Sequence, residues 1–319
     1  MQLAERLLVP GQGQTDELIS NIQRKRELMV AGDPAHQEIR TALIIGGGAM
    51  RGVFSGGVVT GLEDLGLTEV FDDVIGISVG ASTDAYFLAG QARTGTRLFS
   101  EELTSKEFID FGRFKNILSV DYLRTIFTTG NKVLDLAAVR ENRSRFHIGV
   151  TDIKSARSKY IEVDQAEDDD IIKLIQASSA VPRLSPPVVM DGVVYGDGIT
   201  TCKNPIGFAI EELGSTDIIC VVNQPLRQGS SFGDRILSHL LIAGYSPSIR
   251  RAFHTRHEGS DEMAETEYSD EVRIGIATPQ AVSVSRLERN ASRLIYAAQQ
   301  AEQQTLALFS HYQAGSNAN

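Results

Sequence analysis

The stretch VIGISVG, residues 74–80, decides the fold, because it leads an apolar run into a serine with a glycine two positions away on each side. The four residues before Ser78 have the composition of a short buried strand. Residues 81–90 are rich in small side chains, which suits a tightly packed helix. A strand that turns this sharply into a helix exposes the serine at the turn, and Gly76 and Gly80 leave space for the backbone to pass.

A second unit of the same kind lies upstream. Residues 42–45, ALII, predict a buried strand that runs into the glycine turn GGGAMRG at residues 46–52. Apolar positions then recur with helical spacing from residue 51 to residue 65, and Gly66 marks the end of that helix. Two successive units of strand, turn and helix predict a parallel sheet with the helices as crossover connections.

Further elements are predicted from the pattern of apolar residues in the rest of the chain. Strands are expected at residues 146–150, 159–163, 218–222 and 272–276, and a hairpin with an Asp-Gly turn is expected at 188–195. Helices are expected at residues 15–31, 168–180, 233–253 with a break near Pro247, and 285–312. Residues 108–118 predict an irregular or helical cover, and the polar residues 254–270 predict an exposed loop. We therefore expect an N-terminal helical appendage (1–40), an α/β domain (41–280), and a C-terminal helix packed on it with a disordered tail (281–319).

Charge and composition exclude several classes of protein. With a net charge of −10 over 319 residues, the chain lacks the basic excess of a nucleic-acid binder. Its two cysteines are too few for a disulfide framework or a four-cysteine metal site. No apolar run reaches the roughly 18 residues that a membrane span needs, and the first residues lack the pattern of a secretory signal. We expect a cytoplasmic protein that binds no nucleic acid.

Ser78 is the first candidate for chemistry, since a serine at such a turn becomes a nucleophile when a base and an oxyanion site lie nearby. Successive backbone N–H groups in the glycine turn can form an anion-binding concavity at the same sheet edge as Ser78. Arg51 in that turn is suited to orient it or to meet a phosphate. The turn lacks the Gly-Lys-Ser/Thr of a P-loop and the clean spacing of a dinucleotide fingerprint. A tight strand–helix turn without catalysis remains the alternative.

The base is either a histidine or an aspartate. Of the six histidines, His254 and His257 come late enough in the chain for a Ser–Asp–His hydrolase, although their polar surroundings are typical of surface residues. Asp197 follows the second strand of the predicted hairpin and stands between Gly196 and Gly198. With an ordinary pKa near 3.9, an aspartate is a weak base for a serine hydroxyl.

Four motifs, in this order, resemble those of the patatin-like phospholipases over residues 42–206. They are the glycine turn GGAMRG (47–52), the serine turn GISVG (76–80), the segment ASSAVP (177–182) and Asp197-Gly198-Ile199. Ala49 stands where the family has a third glycine, and it is expected to donate its backbone N–H provided that it needs no positive φ. Ile199 replaces a small residue and adds bulk beside Asp197.

The resemblance implies a three-layer patatin-like α/β fold, with a mainly parallel central sheet flanked by helices and a long C-terminal helix. It also implies a lipid acyl hydrolase of the phospholipase A, lysophospholipase or esterase type, which works through an acyl-enzyme intermediate without a metal or a cofactor. The implied residues are Ser78 as nucleophile, Asp197 as base, and Gly46, Gly47, Gly48 and Ala49 as oxyanion donors, supported by Arg51, Gly52, Gly76, Gly80 and Gly198.

An acyl lipid is the implied substrate, met at a membrane or micelle surface in a transient contact. Phe108, Phe111 and Phe114, with Ile117 and Leu118, are candidates for an acyl pocket or a mobile cover, and packing in the core is the alternative. Two other functions stay open: a Ser–Asp–His esterase, and a non-catalytic lipid-binding or scaffold protein of the same fold.

Overall fold

The computed structural model of the protein describes residues 8–11, 15–113, 116–164, 166–226, 239, 241–256, 258–266, 268–281 and 284–316. Nine strands in these ranges belong to one sheet. They are β1 (Leu8–Gly11), β2 (Thr41–Ile45), β3 (Asp73–Ile77), β4 (Arg145–Asp152), β5 (Arg157–Glu162), β6 (Val188–Met190), β7 (Val193–Asp197), β8 (Asp217–Val221) and β9 (Arg273–Ala277).

The centre of the sheet is parallel and its edges are antiparallel. The five central strands run parallel in the order β9-β8-β2-β3-β4. β1 pairs with β9 at one edge, and at the other edge β5 and β7 pair with β4, while β6 pairs with β7. All five residues of β2, β3 and β8 are buried, as expected for parallel strands covered on both faces.

Helices cover both faces of this sheet. They are α1 (Thr15–Ala31), α2 (Val53–Asp64), α3 (Val79–Leu88), α4 (Ala92–Glu101), α5 (Val120–Thr128), α6 (Leu136–Glu141), α7 (Asp168–Ser178), α8 (Pro205–Glu211), α9 (Pro247–His254), α10 (Glu258–Glu265) and α11 (Ala291–Ser316). Because side chains alternate along a strand, Leu43 and Ile45 of β2 pack into the core formed with α1–α7 and α11. Ala42 and Ile44 face the opposite core, formed with α8 and α10. The predicted three-layer fold is thereby confirmed.

Several element predictions need correction. Residues 254–270, predicted as a loop, contain α10, whose buried Met263 packs on the sheet. Residues 108–118, for which an irregular or helical cover was predicted, are irregular in their described part, where Ile109 forms an isolated bridge with Leu118. The last helix begins at residue 291 rather than 285. Residues 233–238 of another predicted helix lie outside the described residues.

The N-terminal segment is attached to the sheet through β1, which the sequence did not predict, and through α1. Leu18, Ile19 and Ile22 of α1 are fully buried in the larger core. In the ranges described, no helix is both long enough and apolar enough to span a bilayer. The division of the chain at residues 40 and 280 stays a prediction.

Candidate active site

Ser78 lies between the end of β3 and the start of α3 in a strained backbone conformation. Its φ is 57° and its ψ is −127°, an unusual combination for a residue other than glycine. The flanking glycines are required by close backbone approach. A Cβ on Gly80 would lie 2.1 Å from the carbonyl oxygen of Ile45, and one on Gly76 would lie 2.6 Å from the Cα of Ala81. These glycines allow the serine turn to pack against the neighbouring strand and helix.

The register of the sheet brings Asp197 to Ser78. At the end of β3, Ile77 pairs with Gly149 of β4, and the next residue of β4, Val150, pairs with Asp197 of β7. Ser78, which follows Ile77, and Asp197 therefore meet at the carboxyl end of β3. The Ser78 hydroxyl donates a hydrogen bond to Asp197 Oδ2 at 2.9 Å, across 119 positions of sequence.

Burial raises the pKa of the Asp197 carboxyl. The residue is 1% exposed, and its Oδ1 accepts a hydrogen bond from the Ile199 N–H at 2.9 Å. Loss of hydration raises the pKa of Asp197 to about 7, although the hydrogen bonds from Ile199 and Ser78 and the positive charge of Arg256 act in the opposite direction. The ordinary pKa assumed from the sequence is therefore wrong for this residue.

Ser178 fixes the backbone of the serine turn, a role that sequence reasoning missed. It is the last residue of α7 and is fully buried. Its hydroxyl accepts a hydrogen bond from the Ser78 N–H at 2.8 Å and donates one to the Gly149 carbonyl at 2.6 Å. One signal for this role was present in the sequence, because Ser178 lies in the ASSAVP segment. That segment was recognised as a motif, but no role was assigned to any single residue in it.

The glycine turn lies beside Ser78. Its backbone N–H groups differ in whether they already donate a hydrogen bond within the described protein. The Gly46 N–H donates to the Val221 carbonyl at 2.9 Å, so it belongs to the sheet and is not available as an oxyanion donor. From the sequence, Ala49 was expected to donate its N–H provided that it needs no positive φ. Its φ is 51°, so this condition is not met. Within the described part of the chain, the N–H groups of Gly47, Gly48 and Ala49 still have no hydrogen-bond acceptor.

Asn223, a second residue that the sequence did not single out, holds the glycine turn in place. Its side-chain amide donates to the Gly46 carbonyl at 2.8 Å, and its Oδ1 accepts from the Ser55 N–H at 3.1 Å. A Cβ on Gly48 would lie 2.7 Å from the Asn223 Cβ. The turn is thus packed tightly against a buried side chain at the end of β8.

Arg51 and Gly52, the last two residues of the glycine turn, contact other parts of the protein. The Arg51 Nε donates to the Val284 carbonyl at 3.1 Å, and Arg51 lines a separate cavity with Asn223 and Gln280. Gly52 packs on α3, where a Cβ would lie 2.6 Å from Val79 Cγ1. Of the two roles considered for Arg51, the structure favours orientation of the turn.

An apolar cavity of about 110 Å³ opens onto Ser78 and Asp197. Its large apolar lining side chains are Leu118, Val181, Leu184, Ile199, Leu241, Phe253 and Leu287. Among the described phenylalanines near residue 110, Phe111 is 59% exposed and Phe108 packs against the core, and neither lines this cavity. Phe114 lies outside the described residues. We refer to this cavity as the acyl cavity.

The described histidines lie elsewhere. No histidine is found among the described residues that line the acyl cavity. His147 is buried near the amino end of β4, where its ring nitrogen lies 3.0 Å from Asp73 Oδ1. His254 contacts His239 instead, with 2.9 Å between ring nitrogens. His257 lies outside the described residues.

The chain is similar to several known proteins. VipD from Legionella pneumophila has a similar fold, with a TM-score of 0.50 and 13% identity over 86% of this chain and 67% of VipD. The type III effector ExoU aligns with a TM-score of 0.39 and 14% identity over 86% of this chain and 53% of its own. The uncharacterised protein YjjU of Escherichia coli K12 is 25% identical over 189 residues, 56% of this chain and 51% of YjjU. The chain therefore spans about half the length of this curated relative.

The sequence also matches a known protein family. The model of the patatin-like phospholipases matches residues 43–210, more than half of the 319 residues. This segment runs from β2 to α8 and includes the glycine turn, the serine turn and Asp197. The chain belongs to the patatin-like phospholipase family.

Proposed function

We propose that the protein is a lipid acyl hydrolase of the phospholipase A, lysophospholipase or esterase type, with Ser78 as nucleophile and Asp197 as general base. The observation that carries this proposal is the 2.9 Å hydrogen bond from the Ser78 hydroxyl to a buried carboxyl oxygen of Asp197. A nucleophile within hydrogen-bond distance of its base is the arrangement that serine acyl transfer requires. Membership of a phospholipase family supports the same class of reaction.

In the proposed mechanism, the Ser78 oxygen attacks the ester carbonyl carbon while Asp197 takes the hydroxyl proton. The tetrahedral intermediate collapses, the alcohol leaves with the proton from Asp197, and the acyl group remains on Ser78. Asp197 then removes a proton from water as the water attacks the acyl-enzyme, and it gives this proton to the Ser78 oxygen when the fatty acid leaves. A carboxyl with a pKa of about 7 is a better proton acceptor for these steps than an ordinary aspartate, and it is still ionised above neutral pH.

The oxyanion of both tetrahedral intermediates is assigned to the N–H groups of Gly47, Gly48 and Ala49. These donors are fixed by the packing of the turn against Asn223, so they need no reorganisation during the reaction. Removal of a single oxyanion donor typically slows an enzyme by about 10²–10³-fold. The positive end of the α3 dipole lies beneath Ser78 and favours the same developing charge.

The substrate is proposed to be an acyl lipid whose chain enters the acyl cavity. Seven large apolar side chains line this cavity, and Ser78 and Asp197 lie at its polar wall. An acidic protein gains no electrostatic attraction to an anionic membrane, so contact with a membrane or micelle is expected to be transient. The proposed chemistry requires no cofactor.

The proposal is tested by incubating wild-type protein and Ser78→Ala with a mixture of lipids and identifying the released acyl products by mass spectrometry. We expect free fatty acid with the wild type, and at least about 10³-fold less with the variant, because the nucleophile is absent. Circular dichroism checks that the variant is folded. A folded wild type that binds lipid and releases no product from any ester would instead identify a non-catalytic lipid-binding protein.

Histidine variants separate the aspartate mechanism from a Ser–Asp–His esterase. His254→Ala and His257→Ala are expected to keep activity, whereas Asp197→Asn is expected to abolish it without unfolding the protein. The opposite result, with activity lost in a histidine variant and kept in Asp197→Asn, would overturn the assignment of the base.

A further inference from the structure

A second cavity of about 70 Å³ adjoins the acyl cavity. Gly48, Ile199, Arg256 and Arg286 line both cavities, so they share a wall beside the reacting groups. Gly47 lines only the second cavity and lies against the nucleophile, since a Cβ on Gly47 would be 3.1 Å from the Ser78 Cβ. A substrate with its ester at Ser78 can therefore extend into both cavities.

The second cavity has cationic side chains in a lining that is otherwise mostly apolar. Lys203, Arg256 and Arg286 line it, and none of its described lining residues is an aspartate or a glutamate. Asp197 is the one carboxylate among the described residues that line the adjoining acyl cavity. Three cationic side chains around a small cavity stand out in a chain whose net charge is −10.

Contacts with the surrounding protein position these cationic groups. The Lys203 ammonium donates a hydrogen bond to the Thr255 hydroxyl. The Arg256 guanidinium lies over the Phe253 ring, 3.8 Å from its centroid, and Arg286 donates to the Gln224 side chain at 3.3 Å. Side chains held in this way lose less conformational freedom when they bind a ligand.

Size and chemistry point to a phosphate group as the occupant. A cavity needs roughly 10–15 Å³ for each water it holds, so the second cavity accepts a group of about five heavy atoms, the number in a phosphate. A guanidinium group can donate two parallel hydrogen bonds to two oxygens of one phosphate, and a lysine ammonium adds a compact positive charge. The acyl chain is assigned to the acyl cavity, because the lining of that cavity is largely apolar.

We propose that the second cavity is a subsite for a phosphate on the alcohol side of the ester, bound by Lys203, Arg256 and Arg286. The inference rests on the proposed function, because it places the ester at Ser78. It makes the preferred substrate an acyl ester whose alcohol carries a phosphate close to the scissile bond, and it makes Ile199 the residue between the acyl chain and the phosphate.

Binding is measured on Ser78→Ala protein, which retains both cavities and lacks the nucleophile. The ligands are a lysophosphatidate and a monoacylglycerol with the same short acyl chain, below their critical micelle concentrations. We expect the lysophosphatidate to bind at least about tenfold tighter, and Lys203→Gln in the same background to remove most of that difference, since a hydrogen bond to a charged group is lost. Lys154→Gln, at an exposed lysine in the β4–β5 turn, is the matched control and should keep the difference. Equal affinities for the two ligands, or equal losses in the two lysine variants, would overturn the subsite.

Inorganic phosphate distinguishes a head group from a free anion. We expect it to compete weakly with the lysophosphatidate and to have little effect on the monoacylglycerol. Inorganic phosphate that binds as tightly as the phosphorylated lipid would show a free-anion site and overturn the assignment to the substrate.

Turnover by the protein with Ser78 intact separates this inference from the proposed function. The ratio of kcat/KM for lysophosphatidate over monoacylglycerol should exceed about ten and fall about tenfold in Lys203→Gln, mainly through KM. Hydrolysis of both esters at the same rate would overturn the subsite and leave the hydrolase proposal intact. Selective binding without hydrolysis of either ester would overturn the hydrolase proposal alone.

Discussion

The ionisation of Asp197 is the residue-scale property that links the fold to the proposed chemistry. Burial holds the pKa of this carboxyl at about 7, so the charged base exists in only part of the protein at neutral pH. Ser78 could be predicted as a candidate nucleophile from its flanking glycines, and Asp197 could be predicted as its base only with the resemblance to a known family. The pKa could not, since it depends on side chains from distant strands that exclude water.

The activity should therefore rise with pH through a midpoint near 7. Only ionised Asp197 can accept the Ser78 proton, and an ordinary aspartate would place the same midpoint near 4. The measurement is kcat/KM for a neutral ester from pH 4 to pH 9 at constant ionic strength. A rate that stays level from pH 5 to pH 8 would contradict this assignment.

The same shift predicts how stability depends on pH. The folded pKa of Asp197 is raised above its unfolded value of 3.8, so from about pH 4 to pH 7 the folded state keeps a proton that the unfolded state has lost. The contribution of this carboxyl to stability is complete below pH 4 and is lost as the pH rises to 7. Asp197→Asn should remove that loss and raise the free energy of unfolding at pH 8, by a few kcal/mol at most, in urea titrations. An equal pH dependence in both proteins would argue against a raised pKa.

Ser178 tests whether the backbone of the serine turn is positioned by one buried hydroxyl. Ser178→Ala leaves the Ser78 N–H and the Gly149 carbonyl without this partner, which should cost about 1–3 kcal/mol of stability. We expect kcat to fall about tenfold with little change in KM, because the reacting oxygen is misplaced and the binding cavity is not. Ser155→Ala, at an exposed serine, is the control. A fall in kcat no larger than that of the control would remove this role.

At the scale of elements, the pairing of β4 with both β3 and β7 brings the two reacting residues together. Gly149 and Val150 are adjacent in β4. Gly149 pairs with Ile77, the residue before Ser78, and Val150 pairs with Asp197. The buried central strands β2, β3 and β8 could be predicted because they are short and largely apolar runs. β1 could not, because it is a four-residue edge strand that contains Pro10, and neither could α10, whose sequence is mostly polar.

Gly198→Ala tests this junction. A Cβ at residue 198 would lie 2.2 Å from the Gly149 carbonyl oxygen, so β7 would have to move away from β4. We expect loss of folded protein or a destabilisation of more than about 3 kcal/mol, together with loss of activity. Gly192→Ala is the matched control, because its Cβ would meet nothing within 4 Å and only its φ of +75° opposes the change, at about 1 kcal/mol. Similar stabilities for the two variants would contradict the close packing at Gly198.

At the scale of the whole molecule, the N-terminal segment is tied to the sheet by polar contacts as well as apolar ones. Lys25 of α1 is 1% exposed, and its ammonium donates to the Ile39 carbonyl at 2.8 Å, to the Thr41 hydroxyl at 3.0 Å and to Asp72 at 2.5 Å. The helical spacing of α1 could be predicted from the sequence. Its attachment could not, because a lysine on a helix gives no sign of burial until its partners are placed.

Lys25→Met measures how much this attachment contributes. Methionine fills a similar volume but leaves three acceptors without their donor, and we expect a loss of about 3 kcal/mol in the free energy of unfolding. Lys106→Met, at an exposed lysine, should change stability by no more than about 0.5 kcal/mol. Equal effects of the two substitutions would show that the α1 contact is dispensable.

The order of the strands is the feature of the whole molecule that sequence patterns leave open, since β2 pairs with β8 from 176 residues later as well as with β3. That order places the end of β8, with Asn223, behind the glycine turn. A resemblance over four motifs was needed to predict the three-layer fold. The apolar patterns alone predicted only its class.

Labelling by a serine-directed fluorophosphonate, located by peptide mass spectrometry, tests the central claim most directly. The account predicts a single adduct on Ser78 in the wild type, none in Ser78→Ala, and much slower labelling in Asp197→Asn at pH 8, where the wild-type carboxylate is ionised. A folded wild-type protein that is not labelled, or one labelled at another residue while Ser78 stays unmodified, would contradict it.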